Sequence, residues 1–363
     1  MESMRITQDE TIVTKKLNNF CLKKTESILQ NTFKIIMIFF SFMFLLYYKN
    51  RQIYETKIIN ELRNIAHNLN ENGNVNTKYD LNFKYHLYER EMITEKMKNY
   101  GGWVLINNEP YFINGIIRKF KPKKCLEIGV DKGGSAIIIL NALKDINDSF
   151  LVSLDLISYN SEGKYYIGEN VKKYFPELTN NNKWQLYTGE QPHIFLDKLN
   201  LKFDFLFLDT VHITPGELIN IIEALPFLEE NAIIILHDVM YHLPTNNYYS
   251  PREVKYHPSQ IYLFTSLPGY KVIIEDKNKG AENIGAIFLH SNKEKYYLNY
   301  FLLLLTPWEY MPTKTQIKEL RSFISKYYKN DLFLLLFNRA VEENKIYINN
   351  FNSVYNKVFK RYN

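Results

Sequence analysis

The chain has 363 residues, 46% of them hydrophobic, and a formal net charge of +6. That length holds one large domain or a domain with extensions, and the apolar content excludes a disordered chain. A charge this mild does not argue for nucleic acid, so no nucleic-acid partner is expected, and two cysteines, Cys21 and Cys125, argue against a disulfide framework and fit a reducing cytosol.

Residues 1–95 read as a helical N-terminal extension. Within it, Phe33–Tyr48 is a nearly unbroken apolar run, interrupted by Lys34 and Ser41 and followed by Lys49 and Arg51. A bilayer span needs about 20 apolar residues, about 17 at the least. The run therefore falls between a buried or surface-attached helix and a short membrane anchor with Lys34 snorkelling. It starts too late for a signal peptide, and no small-residue cleavage site follows it. Basic residues on both sides leave it unoriented. Further on, Ile58, Leu62, Ile65 and Leu69 recur at helical spacing, and residues 70–76, with Gly73, break the pattern. Tyr100-Gly101-Gly102-Trp103 precedes an apolar helix, Tyr111–Phe120, and Trp103 is expected to be packed rather than stacked on a ligand.

The stretch Lys124–Ala136 is the one around which the rest of the chain is organised. Cys125–Ile128 is a short apolar strand, Gly129 turns the chain, and Ala136–Leu143 is an apolar helix, which together make the entry unit of a nucleotide-binding α/β sheet. Gly133 and Gly134 allow a ligand or the helix N-terminus to approach closely. Glu127 is an acid inside an apolar strand, at the end where ligands bind. A dinucleotide fingerprint needs glycine where Asp131 stands, which disfavours a nicotinamide dehydrogenase. The Glu-x-Gly-x-x-x-Gly spacing of Glu127, Gly129 and Gly133 instead resembles motif I of class I S-adenosylmethionine-dependent methyltransferases.

Strands and helices then alternate. Strands are expected at Phe150–Leu156, Trp184–Thr188, Phe203–Leu208 and Ala232–Leu236, with a helix at Gly216–Leu228. Tyr270–Ile274 and Gly285–Leu289 are two last strands, antiparallel if they pair. This spacing predicts an α/β fold: a Rossmann-like, doubly wound, mostly parallel seven-stranded sheet over residues 96–291, with helical N-terminal and C-terminal extensions. Ligands bind such sheets at the carboxyl ends of the strands, and Glu127, Asp155, Asp209 and Asp238 all stand there. Asp155 is placed to accept ribose hydroxyls, and the turn Thr188–Glu190 lies where an adenine would sit. Asp209 and Asp238 end neighbouring strands and could hold one hard divalent cation, such as Mg²⁺; a strand-end histidine such as His237 is more often only hydrogen-bonded.

Residues Phe203–His212 and Ile233–Asp238 resemble the bacterial branch of these methyltransferases that includes macrocin O-methyltransferase and the cephalosporin-hydroxylase-like proteins, over roughly residues 95–290. The resemblance implies S-adenosylmethionine held by Glu127, Gly129, Gly133, Gly134, Asp155 and Asp209, and magnesium on Asp209 and Asp238. Relatives with a base three residues after the first acid point to His212 as catalytic base, a role that suits an imidazole of ordinary pKa near 6.5. The chain departs from the pattern in having His237 and Val239 around Asp238, and apolar Val211 where macrocin-type relatives carry an acid.

Residues 240–258, with His242 and His257, are long enough for a binding loop. After Ser291 the chain turns helical and aromatic, at Tyr296–Leu305, Thr315–Tyr328, Leu332–Asn344 and Tyr347–Arg361, and reads as a cap or a membrane-facing surface. The expected activity is methylation of an oxygen on a small-molecule or glycan-like acceptor. The setting is the cytoplasm, with the membrane's inner face included if 33–48 anchors the chain. The competing reading is a non-catalytic or repurposed relative that keeps the nucleoside site.

Overall fold

The computed structural model describes residues 92–101, 105, 108–239, 259–267, 269–273, 283–289 and 291–359. The apolar run 33–48, Trp103 and the segment 240–258 with His242 and His257 lie outside them. Among the described residues, no helix is long and apolar enough to cross a membrane.

Two helices open the described chain, α1 (Glu95–Gly101) and α2 (Glu109–Phe120). Then come β1 (Lys124–Ile128), α3 (Gly134–Leu143), β2 (Phe150–Asp155) and an antiparallel ribbon of β3 (Tyr159–Asn160) and β4 (Tyr165–Tyr166). They are followed by α4 (Glu169–Tyr174), β5 (Trp184–Thr188), α5 (Pro192–Leu199), β6 (Phe203–Leu208), α6 (Gly216–Ala224) and β7 (Leu228–His237). The chain continues with α7 (Ser259–Ser266), β8 (Tyr270–Ile273), β9 (Ile284–Phe288), α8 (Tyr297–Leu303), α9 (Lys314–Tyr327) and α10 (Asp331–Phe359).

Seven strands form one sheet in the order β5-β2-β1-β6-β7-β9-β8. Five are parallel, and β9 runs antiparallel to both of its neighbours. The central strands have no polar face to offer water: Cys125, Leu126, Phe205, Leu206, Phe207 and Leu208 are all fully buried, as a sheet covered by helices on both sides requires. From β1 the chain winds outward through β2 and β5, then returns to β6 on the other side of β1 and winds the opposite way. The strand order reverses between β1 and β6, and the cleft lies at this switch point, lined by residues at the carboxyl ends of β1, β2 and β6.

The expected seven-stranded, mostly parallel sheet is present, with several boundaries moved. Helix α6 stops at Ala224, Leu225–Phe227 form a 3-10 turn around Pro226, and Leu228 already opens β7. Polar, exposed Glu229–Asn231 hide this longer strand from a hydrophobicity reading, and the pairing with β6 slips between Phe203 and Phe205. The two helices expected at the C-terminus are one, α10. The segment after residue 291 packs onto the sheet's helices. Tyr327 meets Phe227 at 4.9 Å between ring centres, Tyr328 donates to the Ile222 carbonyl at 2.6 Å, and Trp308 is buried.

Candidate functional site

The glycine loop is shaped by close backbone approach. Gly129 has φ +90, and a Cβ there would lie 1.7 Å from the carbonyl oxygen of Asp209. The loops leaving β1 and β6 thus touch backbone to backbone, and Asp209 donates its N–H to the Ile128 carbonyl at 3.0 Å. Gly133, at φ +92, caps α3, and a Cβ on it would strike Val171. Gly134 and Ser135 open α3 and line the cleft. Glu127 does not line it: the side chain is fully buried beneath the loop and accepts from Ser135 and Ser153 hydroxyls at 2.5 Å each. Burial raises its pKa to about 7, against the lowering effect of the two serines. Glu127 reaches the cleft through Ser135.

The cleft has a volume of about 520 Å³, within the range of small-molecule sites. Asp155 lines it at the end of β2. Its carboxylate accepts from the N–H groups of Val130, Asp131 and Ile157 at 3.0, 3.4 and 3.1 Å. A carboxylate has about four lone-pair sites, so one stays available for a hydroxyl. Burial raises the pKa of Asp155, and those N–H groups work against the rise. The turn at Thr188–Glu190 contributes the residues after it, Gln191 and Pro192, to the cleft wall. Asp131, Asp155 and Asp209 line the cleft, and none of the described lining residues is Lys or Arg.

At the ends of β6 and β7 the chain gathers acids around two imidazoles. Asp209 and His212 face the cleft, and Asp238 lies behind them. His212 Nε2 is 3.1 Å from Asp238 Oδ2, and its Nδ1 is 3.5 Å from Glu217 Oε1 and 3.7 Å from Asp209 Oδ1. Gln260 closes against Nδ1 at 2.5 Å, and turning its amide would bring the partnerless Oε1 there as acceptor. Burial alone would lower the His212 pKa, but the Glu217 bond and the charges of Asp238, Glu217 and Asp209 outweigh it and raise it to about 9. His212 is thus an imidazolium wedged between carboxyl groups, not the imidazole of ordinary pKa that its position in the sequence suggests.

His237 does more than end a strand. Fully enclosed, it sets Nε2 3.2 Å from Glu109 Oε2 and Nδ1 3.2 Å from Asp209 Oδ2; the second contact is an ion pair whose angle falls short of a hydrogen bond. Burial would lower its pKa, but Asp238 and Asp209 hold it well above the usual value. Burial pushes Asp238 up in turn, and His237, His212 and a hydrogen bond from Asn283 bring it below the usual carboxylate range. Glu217, its pKa raised by burial, accepts from Thr210 N–H and Ser259 Oγ at 3.0 Å each.

Sequence reasoning missed Glu109 and Glu217. Each is an acid in the first turn of an apolar helix and fully buried, the same oddity that drew attention to Glu127.

Asp209, His212 and Asp238 each offer a ligand atom within 4.8 Å of the other two. Two carboxylate oxygens and one imidazole nitrogen suit a divalent ion such as Mn²⁺ or Zn²⁺ better than Mg²⁺, which prefers oxygen alone.

Residues 126–239 match a methyltransferase domain family, a span that includes the glycine loop and the acid–imidazole cluster. No curated protein gives a significant sequence match. Solved structures similar to the chain include the O-methyltransferase TomG from Streptomyces achromogenes, involved in tomaymycin synthesis and in complex with SAM. It shares 14% identity over 54% of this chain and 90% of its own, with a TM-score of 0.40. An O-methyltransferase from Bacillus cereus in complex with SAH shares 15% identity over 55% of this chain and 89% of its own, with a TM-score of 0.38. A methyltransferase from Geobacter sulfurreducens shares 14% over 56% and 86%, with a TM-score of 0.36. The matched methyltransferase domain thus spans the strands β1 to β7 and most of the residues that line the cleft.

Proposed function

We propose that the chain transfers the methyl group of S-adenosylmethionine to an oxygen of a small-molecule acceptor. The observation that carries this reading is the placement of Asp209 and His212 at the cleft, inside the matched methyltransferase domain and directly beside the glycine loop. Bound S-adenosylmethionine supplies a methyl on a cationic sulfur, so a C–S bond breaks as the O–C bond forms and S-adenosylhomocysteine is left. Gly129, Gly133 and Gly134 shape the loop against which the cofactor lies, Ser135 faces it with Glu127 behind, and Asp155 holds a ribose hydroxyl. Asp209 faces the sulfonium with a carboxylate and serves cofactor and cation together. His212 receives the acceptor's proton. A divalent cation on Asp209 and Asp238 would polarise the acceptor hydroxyl and neutralise the carboxylates that now keep His212 protonated.

A second reading comes from the convergence of three ligand atoms: His212 is itself a ligand. A glycan-like acceptor fits the proposal less well than a small one, because the described cleft walls are mainly apolar. A non-catalytic relative is not favoured, since such a protein has no use for this cluster.

Titration with S-adenosylhomocysteine tests the cofactor half. Wild-type protein should bind, and Gly129→Ala should not, because its Cβ would collide with Asp209. Binding retained in a folded Gly129→Ala protein would sink the assignment. For the cluster, Mn²⁺ titrated in buffers of different ionisation enthalpy should release a proton that His212→Gln does not. If His212→Gln also loses Mn²⁺ affinity by about tenfold or more, the imidazole is a ligand.

A further inference from the structure

The C-terminal segment contributes to the same cleft. Tyr310, Pro312, Gln316 and Leu320 line it, opposite Val211 and Ile219. The approach to Tyr310 is pinned to the loop leaving β6. Glu309 N–H donates to the Thr214 carbonyl at 3.0 Å, and Thr214 Oγ1 donates to the Pro307 carbonyl at 2.6 Å. Trp308, between them, is buried; its N–H donates to Asn344 Oδ1 at 2.7 Å and its indole to the Leu304 carbonyl at 2.8 Å. Tyr310 is thereby carried to the mouth of α6. A Cβ on Gly216 would lie 3.0 Å from its hydroxyl and 2.8 Å from Val211. The ring is partly exposed, and the hydroxyl makes no hydrogen bond within the described chain.

We infer that Tyr310 binds the methyl acceptor by donating its phenolic hydrogen, and that the acceptor is an uncharged hydroxyl compound with an apolar, ring-sized body. The inference rests on the methyltransferase reading of the cleft. Three observations support it. Tyr310 and Val211 flank Gly216, the first residue of the helix that follows the Asp209–His212 loop, so the hydroxyl stands at the methyl-transfer end of the cleft. The walls beside it, Val211, Ile219, Pro312 and Leu320, are apolar, while Asp209 faces the same space, no described lining residue is Lys or Arg, and the one cationic side chain, His212, stands among the carboxyl groups of Asp209, Glu217 and Asp238. An anionic acceptor would there meet the like charge of Asp209, and the His212 imidazolium already has carboxyl groups as partners. Burial raises the phenol's pKa to about 12, so it remains a hydrogen donor throughout the physiological range.

The test uses the full chain saturated with S-adenosylhomocysteine and two probes of similar shape, 4-ethylphenol and the anion 4-hydroxyphenylacetate, followed by ligand-observed NMR. Wild-type protein should bind 4-ethylphenol, and the anion about tenfold more weakly or not at all. Tyr310→Phe keeps the ring and should weaken 4-ethylphenol about fivefold, the effect of one net hydrogen bond, while S-adenosylhomocysteine affinity stays within about twofold of wild type. Gly216→Ala, which narrows the space between Val211 and Tyr310, should also weaken the phenol. Equal affinity for the anion, or no phenol binding, overturns the acceptor class. Unchanged phenol affinity in Tyr310→Phe overturns the role of the hydroxyl, and lost S-adenosylhomocysteine affinity in that variant assigns Tyr310 to the cofactor. If wild-type protein binds no S-adenosylhomocysteine, it is the methyltransferase reading that fails.

Discussion

Glu127 stands one residue from the end of β1 without any contact to water, its two oxygens taken by serine hydroxyls. A carboxyl group whose pKa rises from 4.5 to about 7 on folding binds its proton more tightly in the native state. Its contribution to stability is therefore complete below 4.5 and is lost as the pH rises through about 7, at up to about 1.4 kcal/mol per pH unit within that window. Glu127→Gln should flatten this loss: between about pH 5 and about pH 8 the melting temperature of wild type should fall further than that of the variant. Parallel pH profiles for the two proteins would mean that Glu127 is already ionised at low pH. The position is readable in the sequence because an acid interrupts an apolar strand, as are Asp155, Asp209 and Asp238 at strand ends. Glu109, Glu217 and Tyr310 are not: helices α2 and α6 and the segment before α9 bring them to the site, and only tertiary packing sets where those elements cross the sheet.

At the level of elements, the sheet is readable because its strands are apolar on both faces and regularly spaced. The ribbon β3–β4 escapes a sequence reading, being two short pairs rich in tyrosine and asparagine that carry no period. It nevertheless supports the glycine loop: Tyr165 donates to Asp131, and Gly168 N–H donates to the Asp131 carbonyl at 2.7 Å. The last helix reads as two in the sequence, the first ending at Asn344, whereas it is continuous from Asp331 to Phe359. In the structure Asn344 is buried and useful. It accepts from Trp308 N–H at 2.7 Å and donates to the Ala340 and Thr306 carbonyls at 3.0 and 3.2 Å. Asn344→Leu keeps the size but leaves those groups without partners, which should cost about 1–3 kcal/mol and lower the melting temperature by several degrees. Thermal unfolding decides this; an unchanged melting temperature would mean that the segment before α9 is held by packing alone.

Over the whole molecule, charge is distributed against its own average. The chain carries a net +6, yet the described cleft lining has three aspartates and no Lys or Arg. Walls of low dielectric focus such a field outward. The association rate of cationic S-adenosylmethionine should therefore fall with added salt, while that of S-adenosylhomocysteine, which lacks the sulfonium charge, should change much less. Stopped-flow fluorescence at two ionic strengths measures both, and equal salt dependence would show that the aspartates do not act at a distance. The same lining bears on how a turnover ends. Once the methyl has left, the sulfur no longer carries the charge that these carboxylates attract, while a fresh donor outside still does. Spent nucleoside should thus be drawn back to the cleft less strongly than fresh donor is drawn in, so that charge alone favours reloading without any moving part.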